Sequence, residues 1–72
     1  MSNGLVVERL TWEQHRPMLQ WASENCTDGW NGQPSGGYLM AMEMMRDPSM
    51  ARDMVWRFAN TDDEVMFRLV WL

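Results

Sequence analysis

The amino-acid sequence predicts a small α+β domain in two layers, with three helical segments packed on a sheet formed by the N- and C-terminal strands. Three observations predict it. The chain has 72 residues, enough for one domain over 1–72 and too few for a dinucleotide-binding fold, a kinase or a barrel enzyme. Its composition, 46% hydrophobic and 22% charged, is that of a chain that buries a core. The spacing of apolar residues changes along the chain, alternating towards both ends and following helical period between them.

Leu5 to Leu10, with Val6 and Val7 at its centre, reads as a strand over 5–10. Thr11-Trp12-Glu13-Gln14 then has the spacing of a capping box, so a helix over 12–24 follows. Pro17 either kinks that helix or takes the first position of a shorter one. In both versions Met18, Trp21 and Ala22 fall on the buried side. Residues 25–37 hold four of the five glycines, with Asp-Gly and Asn-Gly pairs, and read as a loop.

Tyr38 to Arg46 is apolar almost all round and reads as a helix over 38–46. Asp47-Pro48 breaks it and offers a cap and a first position for a further helix over 48–59. There Met50, Ala51, Met54, Val55, Phe58 and Ala59 follow helical period, and Asn60 is placed to close it in a left-handed conformation. Over 64–72, Val65, Phe67, Leu69 and Trp71 alternate with Met66, Arg68, Val70 and Leu72, which predicts a strand. Two strands alone make a weak sheet, so either the 25–37 loop supplies a third or the C-terminal strand pairs with another chain through its edge.

The charge of −4 and the absence of any basic stripe argue against direct nucleic-acid binding. A single cysteine, Cys26, permits no internal disulfide, and no zinc-ligand spacing is present. No apolar run is long enough for a membrane span and no secretory signal is visible, so a cytoplasmic location is expected. There is no lysine or isoleucine, while methionine reaches nine and tryptophan five. Arginine, tryptophan and methionine are enriched at protein interfaces and lysine is depleted there.

The chemistry-bearing residues are few. Met40 and Met44 would share a helical face, and thioethers select Cu(I), but pliable core packing is the simpler reason for a methionine-rich helix. His15 and Cys26 are each single, without the orienting group and oxyanion site that a nucleophile pair requires. Gly29, Gly32, Gly36 and Gly37 lack phosphate-loop spacing. Neither a catalytic residue nor a cofactor site follows from these positions.

Leu5 to Ala22, a strand leading through Leu-Thr-Trp-Glu-Gln into a helix with Leu-Gln-Trp-Ala, resembles the opening of a GNAT acetyltransferase. The order strand, helix, helix, strand also resembles the first half of that fold. The family's acyl-CoA pyrophosphate loop has no counterpart, so the resemblance implies a fold and no activity.

The function expected is that of a non-enzymatic module that binds a larger protein or complex. Short acidic chains of this kind suit a phage or mobile-element inhibitor of a host machine such as RNA polymerase or an antiviral nuclease complex. The expected protein-binding residues are Trp30 in the loop, Arg52 and Arg57, and Arg68 and Trp71 on the terminal strand. Two alternatives accompany this reading: a homo-oligomeric assembly protein associating through the C-terminal strand edge, and a soft-metal binder using the methionine-rich helix.

Overall fold

The computed structural model describes residues 4–72. Strands and helices alternate along them: β1 (Leu5–Thr11), α1 (Trp12–Asn25), β2 (Trp30–Pro34), α2 (Tyr38–Arg46), β3 (Ala51–Phe58) and α3 (Thr61–Trp71). The sheet has the order β1-β3-β2, and β3 runs antiparallel to both neighbours. Thus β1 and β2 run parallel with β3 between them, a split β-α-β unit. The α+β class and the number of helices are as the sequence predicts, but the expected helix over 48–59 is a strand, the expected strand over 64–72 is helical, and the sheet includes no C-terminal strand.

The first half forms as its local signals require. Thr11 caps α1, its Oγ1 accepting from the Gln14 amide at 3.3 Å while Gln14 Oε1 accepts from the Thr11 amide at 3.0 Å. Pro17 lies inside α1 without ending it. Residues 25–37 are not loop throughout, because β2 occupies 30–34 and is the third strand that the weak two-strand sheet called for. With β2 between α1 and α2, the order strand, helix, helix, strand on which the acetyltransferase likeness rested is not that of this fold.

The segment expected as a helix over 48–59 is strand β3. Met54 and Phe58 suit either period, being four apart for a helix and of equal parity for a strand. Trp56 decides between them. On a helix it would stand about 200° around from Met54. On a strand it shares their face, and there Met54, Trp56 and Phe58 are all buried. Asp47 does act as a local cap, its Oδ1 accepting from the Ser49 amide at 3.1 Å and the Ser49 hydroxyl at 2.7 Å, but it closes a turn before β3 and starts no helix.

The segment expected as a strand over 64–72 belongs to helix α3. Asn60 is its N-cap, extended at φ −111° and ψ 123°, with Oδ1 accepting from the Asp62 amide at 2.8 Å, so it is not the left-handed end of a preceding helix. Asp62, Asp63 and Glu64 place negative charge in the first turn, against the positive end of the helix dipole. Helical spacing turns Phe67, four residues before Trp71, into the core.

All three helices cover one face of the sheet. Leu5, Val7, Met54, Trp56 and Phe58 point into that layer, where they meet Met18 and Ala22 of α1, Met44 of α2 and Phe67 of α3. Trp56 is the hub, with ring centroids 4.6 Å from Phe67, 5.3 Å from His15, 5.8 Å from Trp30 and 5.9 Å from Phe58. Such aromatic pairs each contribute about 0.5–1.5 kcal/mol beyond their burial.

Candidate functional site: two outward apolar helix faces

An ordinary surface helix buries one apolar stripe and turns polar side chains to solvent. Here α2 and α3 depart from that pattern. In α3, Phe67 faces the core, while Val65, Leu69 and Leu72 form a row at i, i+4 and i+7 on the outer side. Met66 and Val70 form a second row beside it. Leu69 is 81% exposed. In α2, Met44 is buried, while Tyr38, Met42 and Met45 form an outer row with Leu39, 76% exposed, next to it. Helix α1 packs against both and is itself polar outside, with Glu13, Arg16, Gln20 and Glu24 exposed. The helical layer therefore presents apolar side chains on α2 and α3 either side of a polar α1, with the exposed Asp62 standing in the same outward row of α3 as Val65 and Leu69.

The residues expected to bind a partner do not converge. Trp30, at the start of β2, lies half-buried with its ring stacked on Trp56 at an interplanar angle of 22°. Arg57 is exposed opposite Asn31, and it shares with Trp30 a shallow groove of about 340 Å³ at one end of the sheet. Arg52 pairs with Leu10 at the other end and lines a separate groove with Arg9 and Asp53. Arg68 lies on α3, its Nε 3.5 Å from the Glu64 carboxylate. Trp71 packs half-buried against the core from the same helix. The terminal strand edge that was to accompany them does not exist, because α3 occupies that segment. The free edges belong to β1 and β2.

The outward faces of α2 and α3 escaped the sequence reading for opposite reasons. Over 38–46 the helix was recognised but is apolar all round, so spacing could not separate the inward from the outward residues. Over 64–72 a two-residue period assigned Leu69 to the same face as Phe67. The overlooked signal was Asn60 followed by three acidic residues, the start of a helix.

The other chemistry-bearing groups are accounted for by packing. His15 is fully buried. Its Nε2 donates to the Gly32 carbonyl at 3.3 Å, so Nδ1 is the bare acceptor, and Nδ1 has no partner. Burial holds the imidazole pKa below its ordinary value, and the bond to Gly32 opposes that only in part. Cys26 follows the last residue of α1, eleven residues from His15 and thus about 16 Å away along the helix axis. Burial raises its thiol pKa, and the nearby Asp63 carboxylate adds to the rise, the reverse of what an activated thiolate needs. Met44 is buried and Met40 packs against the core, so the pair considered for Cu(I) serves packing. Among the described residues, no cluster of three His, Cys, Asp or Glu side chains is placed to hold a metal, and no helix is long and apolar enough to cross a membrane.

No protein-family model matches the chain, nor does a curated protein or a solved structure.

Proposed function

We propose that the protein is a non-enzymatic binding module that works by seating apolar helix faces against another protein. The observation that carries this reading is the outward face of α2, where Tyr38, Leu39, Met42 and Met45 are exposed together. Contiguous apolar surface on a small domain marks a contact site more often than chance. Methionine, unbranched and polarizable, adapts to a partner's relief. Glu43 and Arg46 lie exposed on the same helix and supply charges of both signs at the rim. The narrower form of the proposal makes the chain an inhibitor that occludes a surface of a host machine, encoded by a phage or mobile element. The net charge of −4 suits that form and does not choose the target.

The test is affinity capture with the tagged full chain, run beside the double variant Leu39→Glu/Met42→Glu. Both side chains are exposed, so circular dichroism and melting of the variant should match the parent. The parent should recover one protein near stoichiometric level and the folded variant should lose it. Recovery of nothing, or equal recovery by both, rejects the proposal. The groove holding Trp30 and Arg57 is the second candidate contact, and Arg57→Ala probes it. Trp30 is unsuited to that purpose because its ring also supports Trp56.

A further inference from the structure

We propose that Met42 and Met45 form an oxidation site on the outward face of α2, where a peroxide turns their thioethers into sulfoxides and closes the face to its partner while the fold persists. The proposal rests on the reading above, that this face is the contact surface, and adds what regulates it.

The methionines divide sharply by accessibility. Met44 and Met54 are 1% and 0% exposed and Met18 is buried, whereas Met42 and Met45 are 38% and 57% exposed. Met44 stands about 200° around α2 from Met42, so one helix turns a protected thioether inward and open ones outward. Met66 on α3 is the third exposed methionine among the described residues. Susceptibility to oxidation follows exposure, so the oxidant meets the contact face and not the core.

The step is a two-electron oxygen transfer. The thioether sulfur attacks one oxygen of hydrogen peroxide. The S–O bond forms as the O–O bond breaks, and sulfur is oxidised while the peroxide is reduced. The proton on the transferred oxygen passes to the departing one, which leaves as water. A thioether carries no proton to lose first, whereas burial and the Asp63 carboxylate keep the Cys26 thiol in its less reactive protonated form. The product is polar and chiral where an adaptable apolar contact stood, and burying it against a partner without a hydrogen bond is costly. Both side chains project outward, so the change removes no core packing. A methionine sulfoxide reductase restores the thioether, which makes the change reversible.

Treatment of the full chain with hydrogen peroxide, followed by a thiol wash, tests the proposal. The wash reverses sulfenic and disulfide products at Cys26 and leaves the sulfoxides. Peptide mapping by mass spectrometry should show Met42, Met45 and Met66 converting at least about tenfold faster than Met44 and Met54, with the helical circular dichroism retained. The oxidised chain should elute earlier in hydrophobic interaction chromatography and lose the protein that the parent captures. Met42→Leu/Met45→Leu keeps apolarity and volume, and should capture that protein before and after peroxide. Met66→Leu should stay as sensitive as the parent. Met44 converting as fast as Met42, unfolding on oxidation, or a double leucine variant as sensitive as the parent overturns the proposal. An oxidised parent that still captures its partner keeps the function and removes the switch. A parent that captures nothing rejects the proposed function and the closing of the face with it, while the oxidation site stands or falls on the peptide map alone.

Discussion

Gly32 and His15 together show how single residues hold this core. Gly32 sits opposite Trp56 in the β2–β3 register, and the indole lies flat across it. A β-carbon built there would stand 2.6 Å from the ring. Gly32→Ala must therefore displace the hub of the aromatic cluster, at a cost of about 1–3 kcal/mol in a urea melt. A variant as stable as the parent would show that the ring has room to move. The Gly32 carbonyl in turn accepts from His15, whose ring lies between Trp12 at 5.6 Å and Trp56 at 5.3 Å. Its folded-state pKa lies below the unfolded value near 6.5. The unfolded chain thus binds the proton more readily. The stability associated with the neutral ring is complete above pH 6.5 and is lost as the pH falls below it towards the folded pKa. Urea midpoints of the parent should drop between pH 7 and pH 5. His15→Gln should flatten that part of the profile, and an unchanged slope in the variant would assign the effect to carboxylates.

The contest over β3 and α3 shows what a helix or strand can and cannot declare locally. The capping box at Thr11 and the apolar run from Tyr38 to Arg46 were legible because capping chemistry and short-range spacing decide them. β3 was not, because Met54 and Phe58 satisfy both periods and only the burial of Trp56, a property of the assembled sheet, breaks the tie. For α3 the decisive signal was local after all, but Asn60 also suits the end of a helix, and the error over 48–59 made it the end of one. The candidate site was lost with these elements. Its α3 half cannot be seen on a strand, and Arg52 and Arg57, expected on one helix, lie on a strand near opposite ends of the sheet. Asn60 now offers a test of its role. As an N-cap, Asn60→Ala should cost about 1 kcal/mol and Asn60→Gly only a few tenths. Were Asn60 a left-handed closing residue, glycine would stabilise the protein instead, so the sign of the glycine variant in a denaturant melt separates the two. At the other edge, Arg9 takes φ +54° in a bulge between Val7 and Leu10, its amide donating to Asp53 Oδ1 at 3.1 Å. Glycine adopts that conformation without steric cost, so Arg9→Gly should hold or raise stability, whereas a β-branched residue there should lower it.

At the scale of the molecule, both free sheet edges are blunted and the apolar helix faces are not. The bonds from Ala59 to Gly29 and from Ser35 to Asp53 bracket the β2–β3 ladder, so by parity Trp30, Gly32 and Pro34 turn their backbone groups to the open edge of β2. Pro34 has no amide to offer there, and the Gly32 carbonyl is already taken by His15. The bulge at Arg9 bends the edge of β1. Both are devices that discourage strand-to-strand association. The exposed side chains of Tyr38, Leu39, Met42 and Met45 on α2 have no comparable device among them, so the pair Leu39→Glu/Met42→Glu, rather than a substitution on a strand edge, is the change expected to alter what the chain binds.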